Sequence, residues 1–419
     1  VPSTLLMSHT PKKVELLAPA GNLEKLEIAI HYGADAIYLS GKEFSLRSYS
    51  GNFSRDEIRQ AVSLAHDHDV RVYVACNVYS RNNEQDAITD YLHALRDISP
   101  DAVIISDPGI LMEAFKIMSG IPVHLSTQAN TTNYRTALFW KQLGVSRVNV
   151  ARELTLKEIR EIADRSAMEV EAFVHGAMCI SYSGRCLLSS FMAKRDSNRG
   201  LCCHPCRWNY AVVEALRPGE YMPITEDDRG SYIFNSKDLC MIDHIPELIA
   251  AGIHSFKIEG RMKGINYLAS VVKVYREAID AWYRSPSRYQ VQPYWREELL
   301  KINNRHYCTG FYFGDPDQIM PNYDLGQSAS PYIFCGKITG ATCDGLTPVE
   351  VRNKIFNGDP IEILETSGPA KNDKIIDIYD NDGLSVPFAQ PGSRVFLKLG
   401  KNYRPSDLIR KLTQQTEPA

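Results

Sequence analysis

Five of the ten cysteines in this chain of 419 residues fall in one stretch, CISYSGRCLLSSFMAKRDSNRGLCCHPCR, from Cys179 to Arg207. Cys179, Cys186, Cys202 and Cys206 are spaced C-x6-C-x15-C-x3-C, and Cys203 is an extra thiol. Thiolates are strong soft donors, and a glycine-containing loop lets four of them converge on one soft metal or iron–sulfur centre. The polar surroundings SYSGR, KRDSNRG and HP argue against a buried cluster of unligated thiols. A structural zinc site remains open, with Cys203 and Cys206 as one knuckle, although an x6 spacing is atypical of zinc ribbons. The C-x3-C-x2-C order of radical-SAM enzymes is absent. The pattern favours an iron–sulfur cluster.

Composition bounds what such a centre could serve. Hydrophobic residues make up 44% and charged residues 23% of the chain, a globular balance. A formal net charge of -3 gives no global signature of a nucleic-acid binder, so RNA contact would come from local patches. The opening VPSTLLMSHTPKK has no signal-like apolar core, and no run is long enough to span a bilayer. The expectation is a cytoplasmic protein with a disordered segment over 1–13 and no membrane contact. Clustered cysteines in reducing cytosol point to ligands or redox groups rather than disulfides.

The elements that must position these thiols alternate. Short apolar runs (ELLAPAG, ADAIYLSG, RVYVACNV, DAVIISDPG, VHLSTQAN, SRVNVAREL, MEVEAFVHG, HSFKIEGRMKG) are separated by amphipathic stretches. Eight strands, each followed by a helical period, specify an α/β chain folded as a (β/α)8 TIM-type barrel over 14–290. No GxGxxG follows the first strand, which lowers the case for a nucleotide cofactor. The cysteines fall in a long excursion before the last strand, at about 177–253, on the barrel face where active sites are built. NYLASVVKVYREAIDAWYR predicts a long helix, 291–331 a linker, and the short alternating runs of 332–412 a small C-terminal β-barrel domain.

Strand ends of a barrel supply its pocket. Asn77, Asp107, Gln128, Arg152, Glu153, His175, Lys257, Glu259 and Arg261 all lie at or just past predicted strand ends and describe a polar, mixed-charge mouth. His175 and Glu259 are the candidate catalytic residues, His175 because an imidazole titrates near neutrality and stands four residues before Cys179. A zinc-protease HExxH and a serine-hydrolase GxSxG are both missing. A cysteine protease stays formally open, but a catalytic thiol needs one activated cysteine beside a base.

The stretches EAFVHGAMCISYSGRCLLS and NRGLCCHPCRW resemble the two cysteine motifs of the collagenase-like peptidases of unknown catalytic type, a U-class peptidase family. ELLAPAGNLEKLEIAIHYGADAIYLSG, SDPGIL, LSTQANTTN, ARELTLKEI, NSKDLC and FKIEGRMK resemble further blocks of that family. Within it the chain looks most like the branch of tRNA uridine hydroxylases. This resemblance implies formation of 5-hydroxyuridine at the anticodon wobble position, without molecular oxygen, with prephenate as co-substrate. It also implies a [4Fe-4S] cluster on Cys179, Cys186, Cys202 and Cys206, and allows a paralogous partner protein.

Prephenate carries two carboxylates, which guanidinium groups grip in bidentate fashion. Arg47, Arg152 and Arg261 are the candidates for that task, with Lys257 as a point charge. Lys194, Arg195, Arg199, Arg207 and Trp208, beside the cysteines, are placed to hold phosphates and stack a base of the tRNA anticodon loop. The alternatives are an rRNA cytidine hydroxylase of the same family, a zinc-stabilised RNA-binding protein and a peptidase or collagenase.

Overall fold

The computed structural model describes residues 13–44, 52–178, 186, 189, 193, 225–227, 230–232, 237–314 and 330–413. Strands β1 (Glu15–Pro19), β2 (Ala36–Ser40), β3 (Arg71–Cys76), β4 (Ala102–Ile105), β5 (Val123–Leu125), β6 (Arg147–Asn149) and β7 (Glu169–Ala177) pair in parallel in sequence order. Asp238–Cys240 forms β8, and Ser255–Ile258 forms β9. β9 pairs in parallel with both β7 and β1, which closes the eight-stranded barrel. Seven helices alternate with these strands: α1 (Leu23–His31), α2 (Arg55–His66), α3 (Gln85–Ile98), α4 (Pro108–Ile117), α5 (Tyr134–Gln142), α6 (Leu156–Ser166) and α7 (Ile245–Ala250). α8 (Ile265–Arg284) follows β9 and completes the ring.

Local chemistry sets these boundaries. Ser54 with Glu57 and Thr155 with Glu158 form reciprocal capping boxes at the starts of α2 and α6, each cap contributing about 1 kcal/mol. Alternation along the strands sends one set of residues outward to the helices. Ile37, Leu39, Val72, Val74, Val103, Val123, Leu125 and Val148 join the large core between sheet and helices. The inward set forms a separate apolar cluster of Leu17, Ala36, Tyr38, Tyr73, Ala75, Ala102 and Ile104.

Two features depart from the expected layout. The expected linker contains a helix, α9 (Pro293–Leu300), with proline at its start, buried Trp295 donating Nε1–H to Glu277 (2.9 Å), and Leu299 packed in the core. After it, β10 (Tyr307–Cys308) pairs in parallel with β8, which itself runs antiparallel to β7. Two turns rich in Pro, Tyr and Arg carry too little periodicity to stand out in sequence. The last part of the expected insertion is likewise ordinary barrel, since α7 buries Ile245 and Leu248 just before β9.

The C-terminal domain is an antiparallel sheet of eight strands around its own core of Cys335, Ile338, Val349, Val351, Ile363 and Leu397, among others. It is fixed to the barrel by buried polar contacts. Arg410, 0% exposed, binds Glu298 of α9 at 2.5 Å and Glu362 of the sheet at 2.5 Å. Ser270 of α8 donates to the same Glu298 at 2.6 Å, Tyr32 at the C-terminal cap of α1 donates to the Leu364 carbonyl at 2.7 Å, and Arg352 binds Glu24.

Candidate active site

Inside the barrel, the N-terminal floor is a closed network of charges. Arg147 of β6 reaches Glu15 of β1 at 2.6 Å and Glu169 of β7 at 2.7 Å, with Glu171 at 3.5 Å. Glu15 also accepts from Tyr73 (2.7 Å) and Ser255 (2.8 Å), and Glu171 takes Lys257 of β9 at 2.7 Å. Burial opposes the Glu15 carboxylate, yet Arg147 and Arg71 outweigh it and hold its pKa below the ordinary value. His124 of β5 stands edge-on to Tyr73 at 4.7 Å, and burial beside Arg147 and Lys257 keeps it neutral.

Towards the C-terminal end the accounting of hydrogen bonds changes. Ser40 Oγ, Asn77 Oδ1, Gln128 Oε1, Asn149 Oδ1, Arg152 Nε and both ring nitrogens of His175 are buried with no hydrogen-bond partner among the described residues. Buried polar groups are nearly always paired. An arc of them round one mouth marks a place where something polar binds.

The β7–β9 edge carries the most chemistry. His175 is 1% exposed, ringed by Tyr267, Tyr275 and Tyr307 with centroids 5.4–5.8 Å away, and burial pushes its pKa down to about 3. Its carbonyl accepts from Glu259 N–H at 2.8 Å. Gly176, next to it, has φ +110°, and an added Cβ would lie 2.3 Å from the Glu259 carbonyl oxygen; only glycine fits. Arg152 lies 3.9 Å over the Phe173 ring and donates Nη1–H to the Ala177 carbonyl at 2.8 Å. Lys257 Nζ lies 4.4 Å from the Tyr38 ring centroid, and the Tyr38 hydroxyl donates to the Ile258 carbonyl at 2.9 Å.

The family model of peptidase family U32 matches residues 21–322, and that of the U32 C-terminal domain matches 330–410. The chain belongs to peptidase family U32. This U32 chain is 41% identical over 402 residues to "tRNA hydroxylation protein P1" of Bacillus subtilis (strain 168), covering 96% of this chain and 95% of that one. "tRNA hydroxylation protein P2" of the same organism is 34% identical over 305 residues, 72% of this chain and 98% of the relative. "Collagenase" of Porphyromonas gingivalis (strain ATCC BAA-308 / W83) is 29% identical over 419 residues, 96% of this chain and 99% of the relative.

Of the residues singled out in sequence, this U32 fold gathers His175, Glu259, Lys257, Arg152 and Arg261 at the β7–β9 edge and the loops beyond it. Lys257 sits lower than a mouth residue, 4% exposed and engaged by Glu171. Asp107 is occupied structurally, accepting from Gly109 N–H (2.7 Å) at the start of α4 and from Ser80. Cys186 is half-buried. Arg47, Cys179, Cys202, Cys206, Lys194, Arg195, Arg199, Arg207 and Trp208 lie outside the described residues. Sequence reasoning passed over Ser40, His124, Asn149 and Glu171. Ser40 and His124 are lone polar residues in the apolar strands AIYLS and VHL, and that break was the available signal; Asn149 and Glu171 share their strands with Arg147, and with Glu169 and His175. No described helix is long and apolar enough to cross a membrane.

Proposed function

We propose that this chain is an enzyme that hydroxylates tRNA, forming 5-hydroxyuridine at the wobble position with prephenate as co-substrate and without molecular oxygen. The observation that carries the reading is the 41% identity, over nearly the whole of both chains, to a relative named for tRNA hydroxylation. The mouth supports it, since several of its buried polar atoms have no hydrogen-bond partner among the described residues and a base edge and a carboxylate-bearing co-substrate both need such groups.

Four thiolates, Cys179, Cys186, Cys202 and Cys206, form a donor set that suits a [4Fe-4S] cluster. Among the described residues no group of three His, Cys, Asp or Glu side chains competes with them for a metal. Cys179 follows directly from β7, two residues beyond Ala177, the carbonyl that Arg152 holds. When bound, such a cluster supplies one-electron chemistry at the barrel mouth. The chain's own part is to bind and orient: Arg152 and Arg261 for carboxylates, and buried neutral His175 and Glu259 as the groups for proton movement. A paralogous partner protein fits the existence of P1 and P2 relatives in one organism. The collagenase reading rests on a relative of lower identity.

The test is nucleoside mass spectrometry of tRNA from a deletion strain complemented with wild type or with Cys186→Ser, Cys202→Ser or Cys206→Ser. Loss of 5-hydroxyuridine in the deletion and in all three variants is expected; its persistence in the deletion strain overturns the reading. Iron, sulfide and zinc analysis of anaerobically purified protein separates the cluster from a zinc site.

A further inference from the structure

Three carboxamides stand on one side of the barrel mouth: Asn77 after β3, Gln128 after β5 and Asn149 at the end of β6. Each has its amide oxygen buried and without a partner among the described residues, as does Ser40 Oγ at the end of β2. Asn149 is 2% exposed and Ser40 is 0% exposed. Their direction follows from strand alternation. Val148 and Val150 flank Asn149 and pack outward in the core between sheet and helices, so the carboxamide between them points into the barrel. Cys76, outward-facing, likewise leaves Asn77 on the inner side.

The backbones carrying these amides are held by other contacts. The Gln128 carbonyl accepts from Tyr79 OH at 2.7 Å, the Asn77 carbonyl from Ser106 Oγ at 2.9 Å, and Val150 N–H, next to Asn149, bonds the Glu171 carbonyl at 3.0 Å. The backbones are thus positioned while the three amide oxygens have no hydrogen-bond partner among the described residues. Orphaned buried amides are costly, and a rim of them is stable in function only when a ligand or water completes them.

The ligand's chemistry follows from the donors. A carboxamide is uncharged and offers an N–H donor and a carbonyl acceptor side by side, in either order after a flip. That pairing complements a ring edge of alternating carbonyl and N–H, the edge that uracil presents, and suits an anion poorly. Three residues beyond Asn149, Arg152 stacked on Phe173 at 3.9 Å gives a flat cationic slab of the kind on which bases stack.

Resting on the hydroxylase reading, we propose that Asn77, Gln128 and Asn149 read the hydrogen-bonding edge of the target pyrimidine, which enters the barrel mouth as a flipped-out base. They are specificity residues, so the choice of uracil is made by the barrel wall.

The experiment uses the full chain and an anticodon stem-loop RNA with 4-thiouridine at the wobble position, irradiated and mapped by mass spectrometry. Crosslinks are expected on peptides carrying Asn77, Gln128 or Asn149. Crosslinks confined to other parts of the chain, or none above the level of an irradiated unrelated RNA-binding protein, overturn the proposal. In parallel, Gln128→Glu and Asn149→Ser are expected to bind tRNA within two-fold of wild type and to lose at least ten-fold in kcat/KM for hydroxylation. Unchanged turnover in both folded variants also overturns it, whereas water filling the arc in place of a base gives that same unchanged turnover. The two readings fail separately: crosslinks on the arc with no hydroxylation by the chain would remove the hydroxylase and keep the base reader.

Discussion

The floor and the mouth of the barrel are built from the same eight strands, and both carry polar residues on the inward face. At the floor the charges are largely paired: Glu15 is met by Arg147, Arg71, Tyr73 and Ser255, and Glu171 by Lys257, with only Glu171 Oε2 and His124 Nδ1 lacking a hydrogen-bond partner among the described residues. At the mouth, Ser40, Asn77, Gln128, Asn149 and His175 hold buried polar atoms with no answer among the described residues. On the reading proposed above, the inward positions serve stability at one end and recognition at the other, the division expected of parallel barrels. Substitutions at the two ends should separate fold from activity.

The largest effect is expected at the floor. Arg147→Met removes the cation shared by Glu15, Glu169 and Glu171, leaving Glu15 with Arg71 and Glu171 with Lys257, and removing one partner of a buried pair costs about 3–5 kcal/mol. Denaturant unfolding should show that loss, with activity falling only as folded protein is lost. Gly176→Ala sits between the two ends. The left-handed backbone alone costs about 1–3 kcal/mol, and the contact with the Glu259 carbonyl forces β7 and β9 apart. Both the melting temperature and tRNA hydroxylation should fall.

His175 gives a pH signature. Burial keeps the folded imidazole neutral down to about pH 3, with Asp238 opposing the shift and Lys263 adding to it, whereas an unfolded histidine titrates at about 6.5. The unfolded chain thus binds more protons between those values, so stability is complete above pH 6.5 and falls as pH is lowered through that window. Wild type should lose ground to His175→Gln over that range and not above it, measured by unfolding at a series of pH values. The smallest stability effect belongs to the mouth: Asn149→Ala removes an orphaned atom and should change unfolding free energy by less than about 1 kcal/mol while hydroxylation falls at least ten-fold. A large loss of stability there would erase the contrast between the two ends.

The barrel was legible because short, mainly apolar strands of three to nine residues alternate with amphipathic stretches, and Asn77, Gln128, Arg152, His175 and Glu259 stand at or near strand ends. The floor network was not, because its partners are far apart in sequence, Glu15 and Ser255 by 240 positions. Each looks like a lone polar intruder until closure of β1 on β9 brings them together. α9 was hidden for a different reason: Trp295 and Glu298 take their meaning from Glu277 and Arg410, which lie on other elements. Asp107 shows the converse, a strand-end carboxylate that serves the next helix and not a pocket.

The buried cation at Arg410 has one more implication. It binds carboxylates from α9 of the barrel domain and from the C-terminal sheet, and carries no exposed surface of its own. Bending the domains apart would bare that charge, so the two move as one piece. The outer face of the sheet then keeps a constant span from the mouth, and the molecule works like a calliper with a fixed jaw.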